Sequence, residues 1–240
     1  MSTARRNSRP AALAAAFVSV GVLAPLLLAG PGSAAKPPKP AAPGGGPALS
    51  LDAAPTTVVF GASTVLSGKL TGSKAAGVVV RIEQDTTAPL GDSFVPTDRT
   101  ATTAGNGTWS VSVRPSVNAL YHAVALTAPT VTSAVRRVNV RPAVRLSVSD
   151  ATPVRGSLVR FSGAVAPAHD GRSALIQRRG TDGVFRTVAK AELRDAGTSR
   201  STFSRRLRVR GTGVYRAKIA QHADHTNGYS ALRTLTVSSR

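Results

Sequence analysis

The chain has 240 residues, 31 basic against 11 acidic, a formal net charge of +20 and no cysteine. The missing cysteines exclude a disulfide framework, so any folded part must stand on its hydrophobic core alone. One tryptophan, three tyrosines and six phenylalanines leave few rings to stack on bases, which argues against a specific nucleic-acid reader despite the charge.

Arg5, Arg6 and Arg9 form a positive start, followed by an apolar run over 11–29 and the small residues Ser33-Ala34-Ala35. That order predicts a signal peptide over 1–35, cleaved after Ala35. The alternative is a retained membrane anchor; Gly21, Pro25 and the lack of stop-transfer charges weigh against it. The expected product is secreted or cell-wall associated, with no transmembrane segment in the mature chain. Residues 36–47 (KPPKPAAPGGGP) read as a disordered linker, stiff through its prolines and flexible at its glycines.

From Ala48 onward the sequence is written twice. Val59–Gly68 (VFGASTVLSG) returns as Val154–Gly163 (VRGSLVRFSG), and Ser133–Val140 (SAVRRVNV) returns as Ser230–Val237 (SALRTLTV). Trp109, Val113 and Tyr121 return as Phe203, Leu207 and Tyr215. A period of about 95 residues is too long for a solenoid unit and suits one small β-sandwich. The boundaries expected are 48–142 for repeat 1 and 143–240 for repeat 2.

Short alternating runs separated by Gly, Pro, Asn, Asp and Ser predict strands, and no stretch keeps a helical period. In repeat 1 the predicted strands are Ala48–Leu51, Ser63–Thr71, Gly77–Gln84, Ser93–Thr97, Thr108–Arg114, Ala119–Ala128 and Ala134–Val140. In repeat 2 they are Ala143–Ser149, Leu158–Ala166, Ser173–Arg179, Phe185–Ala191, Ser201–Val209, Gly213–Gln221 and Ala231–Val237. The fold class is all-β: two tandem seven-stranded Greek-key sandwiches behind the signal peptide and linker. Parity points Leu66, Leu70, Val80, Ile82, Trp109, Val111 and Val113 inward, matched by Phe161, Val165, Ala174, Ile176, Phe203, Arg205 and Leu207. Arg205 breaks the pattern, and either a bulge resets the register or its side chain leaves at the sheet edge.

Tyr121 and Tyr215, in Leu-Tyr-His-Ala and Val-Tyr-Arg-Ala, stand where the tyrosine corner of immunoglobulin-like sandwiches lies. The run Thr103-Ala-Gly-Asn-Gly-Thr-Trp109-Ser-Val resembles the turn-and-strand of bacterial Ig-like repeats in exported actinobacterial proteins. The resemblance, to Ig-like or fibronectin-III-like domains, covers 48–240 and implies structural roles for Tyr121, Tyr215, Trp109 and Phe203. The Cys–Trp–Cys core of antibody domains is absent.

Function is less legible. No strained nucleophile elbow and no glycosidase-like acid pair appears, so no catalytic residue and no cofactor is assigned, and the chain is not expected to be an enzyme. His222, Asp224 and His225 (HADHTNGYS) are the one cluster of metal-ligand types, set against the plainer reading of a polar turn at Asn227-Gly228. Repeat 1 holds eight basic and five acidic residues, repeat 2 eighteen and six. Parity sends Arg145, Arg160, Arg206, Arg208 and Arg210 outward from one sheet of repeat 2, where repeat 1 has Ser50, Val65, Ser110, Ser112 and Arg114. Such a ladder suits an anionic cell-wall polymer as partner; the alternative is a solvated face that blocks edge aggregation, in a chain rich in arginine throughout. Three functional readings stand together: a non-catalytic binding module at the cell envelope, a structural spacer or assembly protein, and an accessory subunit of an extracellular enzyme. A second envelope protein is the other expected partner.

Overall fold

The computed structural model describes residues 46–239; the signal peptide expected at 1–35 and linker residues 36–45 lie outside the described residues. Among the described residues every regular element is a β-strand, and no helix is long and apolar enough to cross a membrane.

Residues 52–141 contribute β1 (Asp52–Ala54), β2 (Thr57–Val59), β3 (Thr64–Lys69), β4 (Val79–Asp85), β5 (Val95–Thr102), β6 (Thr108–Val113), β7 (Ala119–Ala125), β8 (Val131–Thr132) and β9 (Arg136–Arg141). One sheet runs β1-β3-β6, the other β2-β9-β7-β4-β5 with β8 on β7. Residues 143–235 contribute β10 (Ala143–Val148), β11 (Leu158–Ala166), β12 (Ser173–Arg179), β13 (Phe185–Glu192), β14 (Arg194–Thr198), β15 (Arg200–Arg208), β16 (Gly213–Ile219), β17 (Gly228–Tyr229) and β18 (Arg233–Leu235). Their sheets run β10-β11-β15-β14 and β13-β12-β16-β17, with β18 on β16. Each repeat thus has two mainly antiparallel sheets around an apolar core of its own, a sandwich-like arrangement.

The inward alternation sets the cores. Leu66, Leu70, Val80, Ile82, Trp109 and Val113 are buried in the first, and Phe161, Val165, Ala174, Ile176 and Phe203 in the second; Val111 and Leu207 pack against these cores half-buried. Tyr121 and Tyr215 are buried too, and neither hydroxyl bonds to the backbone among the described residues. Burial pushes the Tyr121 hydroxyl up to about 12.

The repeated sequence turns out to be repeated hardware. Ser133 Oγ accepts the N–H of Ala123 at 2.9 Å and donates to Ala134 O at 2.9 Å; Ser230 does the same with Ala217 and Ala231, at 2.9 and 2.8 Å. Gly68 and Gly163 lie where a Cβ would overlap a facing carbonyl (Ser50 O or Arg145 O) and meet the ring of Trp109 or Phe203. The aromatic of the neighbouring strand therefore packs against a glycine in both repeats.

Several boundaries differ from expectation. Leu49 makes only a single bridge to Leu70, and pairing begins at Asp52, because Ser50 Oγ accepts the Lys69 N–H at 2.8 Å in place of a backbone carbonyl. Ser149 likewise takes the Arg160 N–H, at 3.0 Å, just past the end of β10. The strands β2, β8, β14 and β17, two to five residues each, are too short for alternation to reveal. Among them, β2 runs parallel to β9, and Val154 repeats that contact as a parallel bridge to Ser238.

Candidate functional site

The basic residues of repeat 2 divide by sheet. On the β12–β13–β16 side three arginines are held by partners. Arg186 is paired with Asp182 at 2.5 Å, and Arg178 donates to Thr212 O at 2.8 Å. The Arg216 guanidinium lies 4.0 Å from the Phe185 ring centre and 4.3 Å from that of Tyr229, while its Nε donates to Gln177 Oε1 at 2.9 Å.

On strands β10, β11 and β15 no arginine has a carboxylate or ring partner among the described residues. The pairing of β11 with β15 runs without a bulge from Leu158↔Arg208 to Val165↔Ser201 and places Arg160 directly opposite Arg206. Arg145, Arg160, Arg206, Arg208 and Arg210 are all exposed, and no carboxylate pairs with any of them among the described residues. Arg160 and Arg206 line a shallow hollow with Ser149 and Leu158. Arg208 lies two residue pairs further along, on the same face, and donates to Gly156 O at 2.6 Å.

The five predicted residues therefore do not form one cluster. Arg160, Arg206 and Arg208 are neighbours. Arg145 faces Ala164, four residues from Arg160 along β11 and so about 13 Å away. Arg210 lies past the end of β15, beside a separate groove shared with Arg178 and Arg208. Arg194, unmarked in the sequence, joins the Arg145 row through Thr202, because the short strand β14 adds itself to this sheet. Arg205 faces Phe161 in an unbroken register yet is exposed, so it leaves by the edge beyond β14 rather than through a bulge.

The second constellation lies where the repeats meet. The antiparallel pair Ala143↔Ala166 brings the β11–β12 loop next to the start of repeat 2, and the β16–β17 loop reaches the same place. Asn118 N–H donates to Asp224 O at 2.7 Å, Thr226 N–H to Val140 O at 2.9 Å, and Asn118 Nδ2 to Ala223 O at 3.3 Å.

Here His169, His222 and His225 converge, one nitrogen of each lying within 4.8 Å of those of the others. His169 Nε2 is 2.9 Å from His222 Nε2, and the three rings are 4.9 to 5.2 Å apart centre to centre. His169 and His225 are buried and His222 is half-buried. Asp224, grouped with His222 and His225 in the sequence, keeps its carboxylate 3.9 Å from His222 Nδ1 and largely in solvent. Its backbone N–H donates to that same nitrogen at 3.4 Å.

The outer hydrogen bonds fix the rings. His169 Nδ1–H donates to Pro167 O at 2.6 Å, leaving Nε2 as an acceptor. His225 Nε2–H donates to Ser116 O of repeat 1 at 3.0 Å, leaving a buried Nδ1 that has no partner. Burial, reinforced by the neighbouring His169 and His222, pushes His225 down to about 4. Burial and then Arg172 lower His222. Both rings are thus held toward the neutral, lone-pair-bearing form. The loop carrying His169 is itself tied down: Ser201 Oγ accepts the His169 N–H at 2.6 Å and donates to Asp170 Oδ1 at 2.6 Å.

His169 carried no signal in the sequence, being 53 residues from His222; only the strand order that joins the two loops reveals it. Against this geometry, no protein-family model matches the chain and no curated protein is significantly similar to it.

Proposed function

We propose that this chain is an exported, non-catalytic module of two tandem Ig-like sandwiches that docks an anionic polymer of the cell envelope through the β10–β11–β15 face of repeat 2. The observation that carries this reading is the directly facing pair Arg160 and Arg206 without a carboxylate partner among the described residues. Like charges opposite each other across strands destabilise a sheet by a few tenths of a kcal/mol or more. Repeat 1 avoids that cost at the equivalent pair, Val65↔Ser112. A phosphate or carboxylate polymer lying across the hollow would neutralise both guanidinium groups at once and accept their forked hydrogen bonds.

The test is retention of the chain on purified cell walls at low and high salt, beside a variant with Arg160, Arg206 and Arg208 changed to Ser. Docking through this face requires retention that salt screens and that the triple variant loses. Equal, negligible retention of both proteins overturns it and favours a spacer or assembly role.

A further inference from the structure

We infer that His169, His222 and His225 bind one divalent transition-metal ion of the zinc class at the junction of the two repeats. The donor set is three imidazoles with no thiol, the nitrogen-rich chemistry of zinc, copper and nickel rather than of calcium or magnesium. A four-coordinate ion about 2.0–2.1 Å from each nitrogen needs those nitrogens about 3.3 Å apart. The rings already hold one nitrogen each within 4.8 Å, with the closest pair at 2.9 Å. Small side-chain rotations close the rest.

His225 Nδ1 points independently to a ligand. It is a buried imidazole nitrogen, on a side chain 3% exposed, with no hydrogen-bond partner. An unmet acceptor of this kind is uncommon in a packed interior. A metal ion supplies the missing partner. The outer contacts match those of metal-bound imidazoles, whose second nitrogen donates to a carbonyl or carboxylate. Pro167 O serves His169 and Ser116 O serves His225.

His222 is the ring that must change. Its Nδ1 now accepts from Asp224 N–H, so its proton lies on Nε2, toward His169. Binding moves that proton to Nδ1, which releases the long contact from Asp224 N–H, and the Asp224 carboxylate, 3.9 Å away and mostly in solvent, swings in to accept it. Asp224 is therefore a positioning residue, and the fourth coordination position is left for water. The charge of Arg172 acts on His222 and so opposes a bound cation. Because Ser116 belongs to repeat 1 and the ligands to repeat 2, an occupied site also resists separation of the repeats.

The experiment uses the untagged chain, stripped with a chelator. It is titrated with Zn²⁺ by calorimetry and with Co²⁺ by visible absorption. One ion per chain and the ligand-field band of four-coordinate Co²⁺ are expected. His222→Gln and His169→Gln should each weaken Zn²⁺ binding by more than about a hundredfold, beyond the loss of an outer-shell partner. His122→Gln, at the one histidine of repeat 1, should leave binding unchanged. Less than half an ion per chain, or equal affinity in wild type and His222→Gln, overturns the site. As a readout free of mutation, the ¹⁵N imidazole shifts of the wild type should show His222 passing from the Nε2–H to the Nδ1–H form with Zn²⁺; unchanged shifts refute the proposal.

Discussion

Where Val65 of β3 faces Ser112 of β6, the second repeat sets Arg160 opposite Arg206. Where Trp109 covers Gly68, the second repeat lays Phe203 over Gly163. The two comparisons teach different things. Positions that look inward stay largely apolar between repeats while trading size, Leu66 for Phe161 and Val80 for Ala174 beside the unchanged Ile82 and Ile176, because a core accepts hydrophobic exchange when neighbouring volumes compensate. Positions that look outward drift freely, and one sheet face of repeat 2 has drifted to arginine. Loops drift furthest. The β4–β5 loop of repeat 1 is wrapped around the buried carboxylate of Asp85, whereas the β11–β12 and β16–β17 loops of repeat 2 supply the histidines.

The largest effects should come from the shared glycines. Gly68→Ala and Gly163→Ala each drive a methyl into a backbone carbonyl and an aromatic ring. Neither strand can retreat without breaking its ladder, so each should cost at least about 3 kcal/mol of unfolding free energy. Denaturant unfolding checks this. A large loss at one position and a negligible one at the other would end the claim that the two glycines serve one device.

The paired serines come next. Ser133→Ala and Ser230→Ala each strip the acceptor from a buried backbone N–H, that of Ala123 or Ala217. An orphaned donor in this setting costs about 1–3 kcal/mol, and the two losses should agree closely in the same assay.

Acid should separate the repeats where these substitutions unite them. The backbone N–H groups of Gly91, Thr87 and Ser93 hold Asp85 below its ordinary value of 3.8, and His122 with Arg81 holds Glu83 below 4.5. A carboxyl depressed in the folded state contributes stability that is complete above its unfolded value and is lost as pH falls through the folded one. Repeat 1 should therefore loosen as pH drops below about 4.5, with amide exchange rising first around 83–93. At the matching positions repeat 2 carries Gln177 and Arg179. Its one strongly depressed acid, Asp182, is held to about 2 by Arg186 on an exposed turn where water screens the pair. Its junction loops instead respond earlier: burial holds His225 at about 4 and lowers His222, so they lose stability as pH falls below about 6.5. Asp85→Asn at neutral pH should reproduce the local opening; exchange below about pH 4.5 that rises equally around 83–93 and around Asp182 would contradict the assignment.

How much of this was legible from the chain follows the same inside–outside division. Alternation locates Leu66, Ile82, Phe161 and Ile176 because burial acts on every second residue of a strand, and a one-residue slip would expose them all. Periodicity finds Arg160 and Arg206 as outward residues, but their direct opposition depends on register, and Arg145 and Arg210 fall away from them for that reason. The histidine cluster is the extreme case. Two of its members lie three residues apart in HADH, while the third reaches them only because two different sheets end at the same junction. No local pattern encodes such a meeting.

The smallest effect should be the most discriminating about the cores. Trp109 Nε1 is buried without a hydrogen-bond partner, and repeat 2 solves the same position with Phe203, a ring that has no polar atom to satisfy. Trp109→Phe gives up apolar contact and opens some space beside Gly68, but it also removes the orphaned N–H, whose desolvation costs about 1–3 kcal/mol. These terms oppose each other, so the net change should stay within about 1.5 kcal/mol in either direction. Phe203→Trp has no such compensation. It forces a larger ring against Gly163, where the present ring already comes within 2.6 Å of a Cβ position, and buries a new donor with nothing to receive it. A symmetric result, both substitutions near neutral or both severe, would mean that the two cores differ in more than the identity of one ring.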